Sequence, residues 1–192
     1  MKNIASTILL SFVVVLSTFA QSYTLLDSKV GWKGKAAFNA YALSGSVELD
    51  RAEFQGSKEE LSTTKIVIDM KTIQSDNARL VKHLKSKDFF EVNRYRQATF
   101  FMKSKLTLQE GRQEISGDLT IKDSTYPISF PVEVQQEGGQ WLIEGVMSID
   151  RTKYGITFNS PTYFEKLKDQ AIADEFELSF SLILEQQAAT MR

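Results

Sequence analysis

The chain alternates. Ile66, Ile68 and Met70 share one face against Val67, Asp69 and Lys71 on the other. Phe100, Met102, Leu106 and Leu108 stand against Phe101, Lys103, Lys105 and Thr107, and Ile115, Leu119 and Ile121 against Ser116, Asp118 and Thr120. Three further sets follow: Ile128, Phe130, Val132 and Val134; Trp141, Ile143, Met147 and Ile149; and Phe176, Leu178, Phe180, Leu182 and Leu184. A period of two puts successive side chains on opposite faces, so each run reads as a strand with one face buried. Weaker runs around Val30/Trp32 and Val47/Leu49 bring the total to about eight strands. The connections Gln109–Arg112, Lys122–Thr125 and Gln136–Gly139 are short and carry hairpin chemistry. Sequential hairpins make an all-β, antiparallel meander, which either closes as a barrel or folds as a sandwich.

Two stretches break the alternation. Over 77–87 Leu80 and Leu84 stand at i,i+4, and Asp76 sits in the N-cap position, so the spacing predicts a helix. From Pro161 to Asp174 there is no strand period, and a short helix is expected at Tyr163–Lys168. The N-terminus has a different character. Met1-Lys2-Asn3 precedes an apolar run from Ile4 to Phe19, ending in the small-x-small site Thr18-Phe19-Ala20. That is the pattern of a secretory signal peptide over residues 1–20, cleaved near Ala20, with a single domain over 21–192 placed in the periplasm or secreted. The run is too short and too diluted with hydroxyls for a stable membrane span.

Composition removes most chemistry. With no cysteine and one histidine among 192 residues, thiolate nucleophiles, Cys-ligated zinc, Fe–S clusters and His-rich metal sites are excluded. Basic and acidic side chains nearly balance, 23 against 24, which is not the field that phosphate binding wants, so no nucleic acid is expected. The lone imidazole, His83, lies among lysines that would repel an imidazolium rather than orient it, and reads as a surface or half-buried packing residue. Nothing in the spacing of Asp69, Glu91, Asp118, Asp150, Asp169, Asp174 and Glu175 separates catalysts from solubilising charge. No catalytic residue, metal ligand or cofactor is assigned. An outer-membrane barrel would need an uninterrupted apolar outer band, and Lys65, Asp69, Lys71, Lys103, Lys105, Glu133 and Glu177 interrupt it.

An eight-stranded barrel has an interior just wide enough to be filled by side chains or to hold one small ligand. Large inward residues such as Trp32, Phe130 and Trp141 serve either outcome. A lipid-holding bore and a filled core supporting a protein-interaction scaffold both stay open. An enzyme acting on a lipid would need His83 or a perturbed acid pair inside the pocket. Arg79, Lys82, Lys85 and Lys87 on the expected helix, beside Phe89 and Phe90, suit transient contact with a membrane surface.

Several phrases in fixed order resemble the YceI-like family of exported lipid-binding proteins. They are Tyr23-Thr24-Leu25-Leu26-Asp27 with Val30-Gly31-Trp32, Ile66-Val67-Ile68-Asp69-Met70, and His83-Leu84-Lys85-Ser86-Lys87-Asp88-Phe89-Phe90. Then come Ala98-Thr99-Phe100, Gly117-Asp118-Leu119-Thr120-Ile121-Lys122, Asp150-Arg151-Thr152-Lys153-Tyr154-Gly155-Ile156 and Ala173-Asp174-Glu175-Phe176. The phrase from His83 to Phe90 is the most specific. Departures fall in loops: Tyr95-Arg96 stands where Tyr-Pro is common, and Lys122-Asp123-Ser124 replaces a Lys-Gly turn. The resemblance implies a lipocalin-like antiparallel barrel of about eight strands with one or two short helices. It also implies a long apolar ligand of the polyisoprenoid, isoprenoid-quinone or fatty-acyl type held for transport, storage or sequestration. On this reading the ligand-binding residues are Trp32, Phe100, Met102, Leu119, Ile121, Phe130, Trp141 and Met147 from strands, with Leu84, Phe89 and Phe90 guarding one end. The only bound group expected is the lipid itself.

Overall fold

A computed structural model describes residues 21–167 and 170–187. The proposed signal peptide therefore lies outside the described residues. Nine strands and one α-helix follow in the order β1 (Gln21–Ala36), β2 (Ala42–Gly56), β3 (Glu60–Gln74), α1 (Ala78–Leu84), β4 (Gln97–Met102), β5 (Leu106–Thr107), β6 (Gly111–Ile121), β7 (Ser124–Glu137), β8 (Gln140–Asp150) and β9 (Ile172–Gln186). Each pairs antiparallel with its neighbours in the order β2-β1-β9-β8-β7-β6-β4-β3-β5, and β2 pairs with β3 as well. That last pairing closes the sheet. The first and last long strands are hydrogen-bonded, Val30 opposite Phe180 and Trp32 opposite Leu178, so the meander is a barrel and not a sandwich. Eight strands circle the axis, and the two-residue β5 adds a short pairing to β3 at Leu61–Leu106.

Two local expectations are corrected. Phe100, Met102, Leu106 and Leu108 do not share one strand. β4, paired to β3 on one side and β6 on the other, ends at Met102, and after an irregular Lys103–Lys105 the chain rejoins the same edge of β3 as β5, Leu61 opposite Leu106. Lys103 N–H donates to Ser116 C=O at 2.8 Å, and the Gln113 side chain accepts from Thr107 N–H at 3.1 Å and donates to Thr107 C=O at 2.8 Å, so this segment stays beside β6 and the short connection at Gln109–Arg112 joins β5 to β6. The turns at Lys122–Asp123 and Gly138–Gly139 do join adjacent strands, with φ of 57° at Lys122 and 58° and 86° at the two glycines. In the other stretch, Tyr163–Leu167 forms turns where a helix is expected. A 3₁₀ turn at Arg151–Tyr154 occurs instead, capped by Asp150, whose carboxylate accepts from Thr152 N–H at 2.9 Å.

Helix α1 is shorter than its sequence period. Its cap is Asn77, one residue after Asp76, and the Asn77 side chain accepts from Leu80 N–H at 3.0 Å. After Leu84 the chain folds back on itself: Phe90 N–H donates to Leu84 C=O at 3.1 Å and Glu91 N–H to Ser86 C=O at 2.8 Å, with Glu91 left-handed at φ 48°. The hairpin-like wrap returns Phe89 and Phe90 to the side of Leu84.

The antiparallel order sends the β1–β2, β3–β4, β6–β7 and β8–β9 connections, with α1, to one end of the barrel. The β2–β3, β4–β6 and β7–β8 connections lie at the other. This second end is densely packed. Leu61, Val132, Val134 and Leu184 are fully buried there, and Tyr23 closes it by donating from its hydroxyl to Ser57 C=O at 2.6 Å. The outer wall carries ion pairs, among them Lys103–Asp118 at 3.2 Å and Lys105–Glu60 at 2.7 Å, which no lipid-facing band would hold.

Candidate ligand-binding bore

The inward faces of all eight barrel strands enclose a cavity of about 370 Å³, within the range of small-molecule sites. It runs from Phe54, Leu61 and Leu106 at the packed end to Gly34, Tyr41 and Phe176 at the helical end. Tyr41 both lines the cavity and is 62% exposed, so the bore opens beside the β1–β2 loop.

The bore is hollow because its aromatic rings lie along the wall over glycines. A Cβ built at Gly45 would stand 2.6 Å from the Trp32 ring, one at Gly117 2.5 Å from the Phe100 ring, and one at Gly145 2.6 Å from the Phe180 ring. Each ring takes the place of a missing side chain on the neighbouring strand instead of crossing the lumen. Phe130 bridges two of them, with ring centroids 5.5 Å from Phe100 and 5.9 Å from Phe180.

Bulges tune the wall. Register shifts between β2 and β3 near Gly56 and between Ser46 and Glu48 switch the inward parity of β3. Leu61, then Thr64, Ile66, Ile68 and Met70, then Ile73 all face the same cavity.

Of the eleven residues singled out from sequence, ten line the bore: Trp32, Leu84, Phe89, Phe90, Phe100, Met102, Leu119, Ile121, Phe130 and Met147. Trp141 does not. It pairs with the fully buried Leu184 one turn of the pleat beyond Ile143 and Leu182, where the cavity ends, and so belongs to the plug. Alternation identifies the inward face of β8 but not how far the void extends along it. Phe180, Leu178, Ile66, Ile68, Met70 and Phe54 also line the bore. All but Phe54 lie in the period-two runs, which do not rank positions along a strand; Phe54 is out of phase with Val47 and Leu49 and comes inward only through the register shift between Leu49 and Arg51.

The helical end is held by Arg151, which is 3% exposed. Its guanidinium donates to Ile156 C=O at 2.7 Å, Ile172 C=O at 2.9 Å and Ala173 C=O at 3.0 Å. Asp174 stands 3.5 Å away as counter-ion, and the Phe89 ring lies beneath at 5.8 Å. Burial pulls the Arg151 pKa down, opposed by Asp174 and Asp150. His83 is outside the cavity lining; it packs edge-on against Phe89 and Phe158, with ring centroids 5.0 and 4.6 Å away. Of the basic residues on and after α1, Arg79, Lys82 and Lys87 are exposed, whereas Lys85 is half-buried and donates to Lys71 C=O at 2.5 Å. Among the described residues no cluster of three or more His, Asp or Glu could hold a metal ion.

Residues 23–184 match the YceI-like domain. The chain belongs to the YceI-like family. Curated relatives include several described as UPF0312 protein. That of Vibrio parahaemolyticus is 30% identical over 99 residues, 52% of this chain and 49% of the relative. That of Vibrio campbellii is 30% identical over 120 residues, 62% of this chain and 60% of the relative. The matches thus span about half to three-fifths of those proteins. Among solved structures, BcnA of Burkholderia cenocepacia aligns with TM-score 0.64 at 22% identity, covering 81% of this chain and 95% of that one. A polyisoprenoid binding domain from Saccharophagus degradans, implicated in plant cell wall breakdown, aligns with TM-score 0.66 at 14% identity, covering 87% and 98%. At these identities the structures establish the shared YceI-like barrel. No enzymatic family is indicated by any of these matches.

Proposed function

We propose that this YceI-like barrel carries one long apolar lipid in its bore. The observation that carries the reading is the continuous apolar cavity itself, open at the helical end and plugged at the other. A barrel built only as an interaction scaffold has no use for such a void, which forfeits dispersion contacts along its whole lining. Burial of each CH₂-sized group in the bore stabilises a complex by about 0.8 kcal/mol, so an isoprenoid or acyl chain needs no charged anchor for affinity. The Saccharophagus domain of the same fold is described as polyisoprenoid binding, which supports an isoprenoid as the chain. Export by the signal sequence at residues 1–20 would place the carrier in the periplasm or outside the cell, where a water-insoluble lipid needs an escort between membranes. Trp32, Phe100, Met102, Leu119, Ile121, Phe130 and Met147 are the wall contacts of this reading, with Leu84, Phe89 and Phe90 at the helical end.

The test is gentle solvent extraction of protein purified from its native compartment, followed by lipid mass spectrometry. Near-stoichiometric isoprenoid or acyl lipid is expected. Gly34→Trp supplies the control: Gly34 lines the bore mouth and a Cβ there meets nothing within 4 Å, so the backbone accepts a side chain at this point and an indole obstructs the mouth. Bound lipid falls at least several-fold in this variant while its thermal unfolding is unchanged. Lipid-free native protein, or equal loading of the blocked variant, would refute the proposal.

A further inference from the structure

The bore is not uniformly indifferent to its contents. Thr64 faces it from β3 on the same side as Ile66, Ile68 and Met70, opposite Phe54 across the β2–β3 pairing. It is 6% exposed, and its hydroxyl has no hydrogen-bond partner in the protein. A strand has no i−4 carbonyl for a threonine hydroxyl to bond back to, as a helix would. Valine has the same shape and suits a buried strand position, so the hydroxyl adds nothing to packing and leaves a polar group unsatisfied when the bore holds hydrocarbon alone.

The surroundings say what group could satisfy it. Near Thr64 the lining is Phe54, Leu61, Met102 and Leu106, all apolar. The charged lining residues all stand at the helical end: Lys35 near the end of β1, Arg151 in the 3₁₀ turn after β8 and Glu175 near the start of β9. A phosphate or carboxylate at Thr64 would be a buried charge with no counter-ion. A neutral oxygen would be accepted, because a hydroxyl can donate or accept as required.

Resting on the lipid-carrier reading, we infer that the packed end of the bore is a recognition point for an uncharged oxygen on the ligand, with the Thr64 hydroxyl as its hydrogen-bonding partner. The ligand class is a long branched chain bearing an alcohol, phenol or carbonyl oxygen, inserted with that oxygen leading and its apolar tail toward the mouth. A charged headgroup on the same chain is held at the helical end instead and does not register Thr64.

Three probes sharing one carbon skeleton separate these cases: phytol, phytane and phytanic acid, titrated against delipidated full-length protein by intrinsic tryptophan fluorescence, since Trp32 lines the bore. Thr64→Val is expected to weaken phytol by about ten-fold while leaving phytane and phytanic acid within about two-fold. Thr64→Ser, which keeps the hydroxyl, restores the preference for phytol over phytane. Unchanged thermal unfolding of both variants accompanies this result. Equal phytol affinity in the wild type and Thr64→Val, as when water satisfies the hydroxyl, overturns the inference and leaves the carrier reading standing. Parallel weakening of all three probes also overturns it, by assigning Thr64 to packing. Failure of every probe to bind the folded wild type removes the carrier reading and this inference together.

Discussion

Arg151 shows how one side chain decides the shape of an end of the barrel. It is the one charged residue that is fully buried among those described, and its three backbone acceptors come from both arms of the β8–β9 connection. Ile156 lies in the connection itself, while Ile172 and Ala173 open β9, so one side chain ties the connection to the strand it leads into. Replacement by methionine fills similar volume but abandons all three and strands Asp174, so Arg151→Met is expected to lower unfolding free energy by about 3–5 kcal/mol in urea denaturation. Arg151→Lys recovers only part of this, because a single ammonium does not span the fork that a guanidinium does. A loss below about 1 kcal/mol for the methionine variant would show that the loop satisfies itself. The residue stood in plain view within Asp150–Ile156, yet its role was not legible there. A surface arginine after a strand looks the same in sequence, and its partners Ile172 and Ala173 lie about twenty residues on. Trp141 fails for a related reason: its apolarity is evident, but its depth along the axis depends on Leu184 of another strand.

At the level of elements, the barrel strands work in glycine–aromatic couples. In the couple of β8 and β9, the Phe180 ring lies where a Gly145 side chain would stand, with the Pro131 carbonyl 3.1 Å from that position. Gly145→Ala therefore pushes the ring off the wall. Overpacking of this kind costs about 1–3 kcal/mol, and here it also narrows the lumen, so lipid loading should fall with stability. Combining Gly145→Ala with Phe180→Leu should recover most of both losses, and the non-additive remainder in a double-mutant cycle measures the couple directly. Additive effects would mean that ring and glycine do not share the space. Sequence shows each glycine as an interruption of a strand period, compatible with a bulge or a close approach. Only the register, Gly145 opposite Phe180, says which ring it admits. Helix α1 has the same dependence. At seven residues it is too short to hold itself, and Leu84, packed with Phe89 into the core cluster, anchors it over the bore.

On the scale of the whole molecule, the two ends of the barrel differ in kind. The end carrying the mouth presents Phe38 at 66% exposure, Tyr41, Tyr163 and Phe164, together with the exposed cations Arg79, Lys82 and Lys87. Aromatics beside basic residues suit the interface of an anionic bilayer. A carrier that loads through this end would touch such a surface transiently. In vesicle co-sedimentation with phosphatidylglycerol-containing membranes, Phe38→Ser with Phe164→Ser should reduce binding by several-fold, and Arg79, Lys82 and Lys87 exchanged for glutamine should abolish its salt dependence. Binding that ignores both sets of changes would separate loading from membrane contact. The alternation by itself determined the class, the approximate strand number and the inward face of most strands, because period two is a property of neighbouring residues. Composition determined the exclusion of thiolate and His-cluster chemistry in the same local way. Closure, and the void inside it, were decided only by tertiary structure. They depend on β1 meeting β9, on β2 meeting β3 across bulges, and on rings from one strand lying over glycines of another. Packing of residues far apart in the chain sets whether a row of Phe, Leu and Ile fills a core or surrounds a hole, since the same apolar face is written for either.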